Sequence, residues 1–204
     1  MKILVVHELF LPDFAGGGEK LIYETAKNLQ KAGHEVKVIT TGDPTRTSYE
    51  SIPTIRIKKN RFMINLSFWT IAKHARWADI VQTSTYNAAF PSWVIAKIFR
   101  KPIVCLVMSY WGEEWKKMRP GLMGTISRVF EKVTLHRSYD TKIFLSDFSK
   151  SFALSSGMSN KNTAVINPGV ETLLYKPLPK ENIILFSGRF AKQKGVYDVL
   201  KVAA

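Results

Sequence analysis

One cysteine, Cys105, stands among the 204 residues. A single thiol excludes an internal disulfide and a cysteine-held metal cluster, and it fits a reducing compartment. Its place inside an apolar run reads as a buried, inert thiol rather than a nucleophile. Long hydrophobic segments are also missing. The longest unbroken apolar stretch is Ile103 to Met108, far below the roughly 20 residues that a membrane helix needs. The apolar N-terminus, Met1 to Val6, meets His7 and Glu8 too early for a secretion signal. The expected location is the cytoplasm, with the inner membrane face as an open alternative. Histidine is scarce: His7, His34, His74 and His136 show no ligand spacing, so no metal site and no cofactor are expected. Acids are outnumbered. Sixteen Asp and Glu face thirty Lys and Arg, a formal net charge of +14. That excess favours anionic partners, whether a phosphorylated substrate, an anionic membrane surface or nucleic acid, and it carries no information about fold. There is no helix-turn-helix and no RNA-binding aromatic motif, so no specific nucleic acid is expected.

What is present is an alternation. Short β-branched apolar runs predict strands at 2–7, 35–40, 54–58, 79–83, 102–107, 141–145, 163–167 and 182–187. Several are nearly continuous in Val, Ile and Leu, as parallel strands covered on both faces are. Helical patterns lie between them, at 18–31, 66–76, 88–99, 122–138, 148–156 and 196–204. The first carries Leu21, Ile22, Thr25, Ala26 and Leu29 on one face and stops at Gly33. This order predicts an α/β fold: a doubly wound, Rossmann-like parallel sheet with right-handed crossovers. Residues 1–170 form the expected domain. Residues 171–204, entered through Pro168, Gly169, Pro177 and Pro179, read as a stiff linker and the start of a second domain.

Ligands of open α/β sheets bind beyond the carboxyl ends of the strands, which directs attention to the loops there. The loop after the first strand closes with Gly16-Gly17-Gly18-Glu19-Lys20 at a helix start. Successive glycines allow close backbone approach, and a helix N-terminus offers free N–H groups and a positive dipole end. A phosphate or a sugar hydroxyl suits it; so does a plain hinge. The spacing is not the G-x-G-x-x-G of a dinucleotide site. After the fifth strand comes Ser109-Tyr110-Trp111-Gly112-Glu113-Glu114-Trp115. Trp111 and Trp115 are either an aromatic platform or edge packing. Glu113 and Glu114 are acid/base candidates by residue type. Lys58, Lys59 and Arg61 adjoin Phe62, Met63, Leu66, Phe68 and Trp69, a pattern shared by membrane-surface patches and by solvated loops that feed buried helices.

Taken together, four ordered motifs resemble glycosyltransferase family 4. They are Pro12 to Glu19 before a helix ending Leu29-Gln30-Lys31-Ala32-Gly33-His34; Leu145 to Lys150; Val165 to Glu171; and Gly188-Arg189 with Lys194-Gly195. The third reads Asn167-Pro168-Gly169-Val170-Glu171 where the family usually has P-N-G-V-D. The resemblance implies the GT-B architecture of two facing Rossmann-like domains, this chain being the N-terminal, acceptor-side one. It implies sugar transfer from a nucleotide-sugar donor to a saccharide or lipid-linked acceptor. By the same resemblance Gly16, Gly17 and Gly18 lie near the donor phosphates and the acceptor, and Tyr110, Trp111 and Gly112 line the cleft. Arg189 and Lys194 would neutralise the diphosphate as it leaves, work that suits a guanidinium fork and a point charge. Related enzymes often carry His just before the glycine where this chain has Trp111, so the catalytic residue is left unknown, with Trp111 and Glu113 as candidates. The family's donor-binding E-x(7)-E pair is not among the 204 residues, so the isolated chain is expected to be inactive.

Rival readings remain at this level. An oxidoreductase needs an acid closing the second strand, where Thr40-Thr41-Gly42 stands instead. A basic phosphate- or membrane-binding module and a non-catalytic subunit of a split transferase are the others.

Overall fold

The computed structural model describes residues 1–204 except 14–15, 59, 173–175, 177–178, 180, 189, 191–193 and 204. The described chain divides into two compact units, Met1–Pro168 and Gly169–Ala204.

The first unit alternates strand and helix. β1 (Lys2–Val6) leads to α1 (Gly17–Lys31) and β2 (Glu35–Thr41). A two-residue β3 (Ser48–Tyr49) precedes β4 (Ile52–Ile57), a 3-10 helix (Arg61–Leu66) and α2 (Phe68–Ala75). Then come β5 (Ile80–Ser84), α3 (Ala89–Ile98), β6 (Ile103–Val107), the short α4 (Glu114–Met118) and α5 (Leu122–Leu135). β7 (Thr141–Phe144), α6 (Asp147–Ser155) and β8 (Thr163–Val165) complete it. One eight-stranded sheet results, ordered β3-β4-β2-β1-β5-β6-β7-β8. Every pairing is parallel except β3 with β4.

The pleat sorts the apolar side chains into two cores. Leu4 and Val6 of β1 enter one core with Val81, Ile103 and Cys105, under Ile71, Ala75, Ala89, Ala96, Leu135 and Ala153 of α2, α3, α5 and α6. Ile3 and Val5 enter the other with Val36 and Val38, under Ile22, Tyr23 and Ala26 of α1. Helices therefore cover both faces, which is why the strands read as continuous apolar runs. α1 stops as the sequence requires. Gly33 takes φ +84°, its N–H reaches the Gln30 carbonyl, and the His34 N–H reaches that of Leu29, which closes the last turn.

The connections out of β1 and β5 run in opposite directions across the sheet: α1 leads to β2 on one side, α3 to β6 on the other. The crevice between the carboxyl ends of β1 and β5 is thus the switch point of the fold.

In the second unit, α7 (Val196–Ala203) forms behind Gly195, whose φ is +73°. The strand expected at 182–187 does not form. Ile183, Ile184 and Leu185 are exposed, and a strand without a neighbour to receive its backbone groups has nothing to hold it.

Candidate active site

Loops from β1, β4, β5 and β6 meet at the switch point. His7 follows β1 directly. Its backbone N–H is held by the Ile39 carbonyl at 3.0 Å, and its Nδ1 shares a hydrogen bond with the Ser84 hydroxyl of β5. Nε2 is buried and has no hydrogen-bond partner among the described residues; the nearest carboxylate oxygen, on Glu19 of α1, lies 4.0 Å away. Burial, aided by the positive charge of Arg61, lowers the imidazole pKa to about 4. The ring is therefore neutral at pH 7.

Glu8, beside it, is buried as well. Its carboxylate accepts from the Arg61 guanidinium and from the Asn87 amide, and Asn65 donates to Asn87 at 3.0 Å. Its carbonyl accepts from Thr41 Oγ1 at 2.5 Å. This network ties the β1 loop to the 3-10 helix and to the loop after β5. The fully buried Arg56 of β4 donates to the Asp13 carboxylate and the Leu11 carbonyl, which fixes the approach to the glycines.

Gly16 is the N-cap of α1, with extended backbone (φ −92°, ψ 173°) and no side-chain cap. None of Gly16, Gly17 and Gly18 has a positive φ, so backbone conformation does not call for glycine here. A Cβ on Gly17 would meet nothing within 4 Å. Sterics within the fold do not call for glycine at that position either. Gly18 differs: a Cβ there would lie 3.1 Å from the Met108 sulfur, so α1 packs closely on the loop after β6. A cavity of about 330 Å³ opens beside Gly16 and Gly17, between Leu11, Lys20, Tyr23 and Tyr49.

The loop after β6 is held from behind by a residue that the sequence reading overlooked. Glu131 of α5 is buried, and its two carboxylate oxygens accept the Trp111 and Gly112 N–H groups at 2.9 and 2.7 Å. Burial raises the Glu131 pKa, and those two N–H groups oppose the rise. An acid flanked by Phe130 and Lys132 resembles any solvated helix position. The only hint was its spacing of seven residues from Gly124 and of four from Leu135, the inward positions of α5.

The predicted site residues thus fall into different roles. Gly16, Gly17 and Gly18 stand at the switch point. The N–H groups of Trp111 and Gly112 are engaged by Glu131, and Gly112 adopts φ +51°, where glycine is favoured. The Tyr110 hydroxyl pairs with His136 Nε2 at 3.1 Å, and its ring faces Phe152. Trp111 is half-buried with its ring 6.3 Å from that of Trp115. Glu113 is exposed and held by Lys116 and Arg128; the Lys116 hydrogen bond leads in keeping its carboxyl below the ordinary range. Lys194 is exposed before α7, and Arg189 lies outside the described residues.

The family model for Glycosyltransferase Family 4 matches residues 15–173. The chain belongs to glycosyltransferase family 4. Among curated proteins no sequence matches. Solved structures do. Sucrose-phosphate synthase from Thermosynechococcus elongatus superposes with a TM-score of 0.69 at 18% identity, covering 87% of this chain and 50% of that one. Anabaena HepE, solved with UDP and glucose, gives 0.64 at 20% identity, with 88% and 47% covered. A glycosyltransferase from Rickettsia africae gives 0.56 at 23% identity, with 86% and 46% covered. The fold is that of the N-terminal Rossmann-like part of these GT-B enzymes. This family 4 chain spans about half the length of each.

Proposed function

We propose that this chain forms the acceptor-side half of a transferase that moves a sugar from a nucleotide-sugar donor to a saccharide or lipid-linked acceptor. The observation that carries the reading is Gly17, a glycine that neither backbone conformation nor packing explains. It stands in the first turn of an uncapped helix at the switch point, beside a cavity. A bound group explains it: the space a side chain would fill belongs to the ligand.

In the reaction the acceptor hydroxyl oxygen forms a bond to the sugar's anomeric carbon, the bond from that carbon to the diphosphate oxygen breaks, and the hydroxyl proton is released. Negative charge gathers on the diphosphate. The first-turn N–H groups of α1 and its dipole stabilise it electrostatically. Glu19 belongs to that turn, and His7 lies 4.0 Å from its carboxylate. A neutral His7 places no competing cation there and is itself held to β5 through Ser84. HepE is solved with UDP-glucose, and we extend that donor class to this chain. Arg189 and Lys194 are proposed as phosphate ligands on their motif alone.

Gly17→Val tests the reading in this chain joined to a donor-binding half. The expected result is a transfer rate at least about a hundredfold lower, since a lost electrostatic contact typically costs that much, with an unchanged Tm. A lowered Tm with a near-normal rate in the cold would identify a structural turn.

A further inference from the structure

Helix α5 is amphipathic in the reverse sense. Gly124, Glu131 and Leu135 face inward. The opposite face carries Leu122, Ile126, Val129 and Val133, which remain 74%, 50%, 52% and 41% exposed. Their spacing of four, three and four residues aligns them in one stripe. Soluble surfaces rarely leave such a row uncovered.

The surroundings of the stripe are basic. Glu131, the one acid of α5, is buried. At the adjoining α4, the capping Glu113 is matched by Lys116 and Arg128, and Glu114 by Lys117. Arg119 and Lys132 are exposed and have no carboxylate partner among the described residues. The hairpin is rigid: α4 and α5 pack backbone to backbone at Gly124, where a Cβ would lie 2.8 Å from the Trp115 carbonyl oxygen.

We propose that the α4–α5 hairpin docks the chain onto an anionic lipid surface, with the stripe of Leu122, Ile126, Val129 and Val133 entering the headgroup–acyl boundary. An apolar row flanked by Lys and Arg is the pattern of an interfacial helix. Charge selects lipid over a second copy of the chain, since copies of net charge +14 repel one another. The basic and aromatic segment 58–69 is the weaker surface, because Arg61 is committed to Glu8. No described helix is long and apolar enough to cross a membrane, so the docking is peripheral.

The experiment is co-sedimentation of the chain with vesicles of phosphatidylcholine alone and of phosphatidylcholine mixed with phosphatidylglycerol, at low and high salt. The chain is expected to bind the mixed vesicles and to lose binding as salt rises. The double substitution Ile126→Glu with Val129→Glu should weaken binding at least about tenfold, because it removes two apolar insertions and adds two like charges. The far-UV circular dichroism should stay unchanged, since both side chains are exposed. Arg119→Glu with Lys132→Glu should weaken binding to mixed vesicles only. If the first pair unfolds the chain, Ile126→Ser with Val129→Ser carries the same comparison. Wild-type binding by the stripe variants would overturn the proposal. So would equal binding to both vesicles, or an oligomer that the stripe variants dissolve in a chain that ignores vesicles.

Discussion

Nε2 of His7 lies 4.0 Å from Oε1 of Glu19, beyond hydrogen-bonding reach, with both side chains buried at the end of β1. Burial first, and the Arg61 charge second, lower the imidazole pKa to about 4, and at this separation Glu19 does not offset them. Below the unfolded value of 6.5 the unfolded chain binds a proton that the folded chain refuses, so stability falls as pH falls through that window. One proton contributes about 1.4 kcal/mol per pH unit. Because burial also lowers His74 and His136, urea unfolding from pH 6 to pH 5 should show a slope that is steeper in the wild type than in His7→Gln by about that amount. Parallel curves would remove His7 from the account.

Glu131→Gln should destabilise the first unit by about 1–3 kcal/mol, because the amide presents a donor where a backbone N–H needs an acceptor. Glu131→Ala should cost more, leaving the Trp111 and Gly112 N–H groups both unpaired. Denaturant midpoints at a common slope measure both. A midpoint for Glu131→Ala equal to that of the wild type would show that the loop holds itself.

Gly124→Ala is expected to lower stability although alanine is the better helix former by about 1 kcal/mol. The added methyl would fall on the Arg119 carbonyl oxygen and lie 2.9 Å from Lys116 Cα. Backbone must move, and overpacking of that kind costs about 1–3 kcal/mol. Thermal unfolding checks the sign; a raised Tm would contradict the close helix contact.

Cys105 should resist thiol reagents in the folded chain. Burial pushes its thiol up to about 12, and the side chain has no exposure. A disulfide reagent at pH 8 should label it only as fast as the chain unfolds. Rapid full labelling of folded protein would be the contrary result.

The central strands were legible because both of their faces are covered, and Ile3 to Val6 and Ile103 to Val107 spell that out directly. β3 was not. Two residues, Ser48 and Tyr49, pair with Ile52 and Pro53, too few for any periodicity to register. The segment 182–187 had a strand's composition, yet a ladder is a property of two segments and composition describes one. At the site the glycines announced themselves by residue type. Glu131 did not, since its role depends on a fold that brings α5 behind a loop some twenty positions earlier. α5 carries an apolar row at Leu122, Ile126, Val129 and Val133, yet it is Gly124 and Glu131 that the structure buries, because the glycine lets α4 approach.

That inversion gives α5 two tasks at once. Its inner face grips the loop at Trp111 and Gly112 through one carboxylate, and its outer face is bare. Gly124 seats it against α4, and that carboxylate joins it to two peptide groups of the loop. The bare face and the grip on the loop are thus two sides of one helix, so a change on either side has only a single helix to cross before it reaches the other.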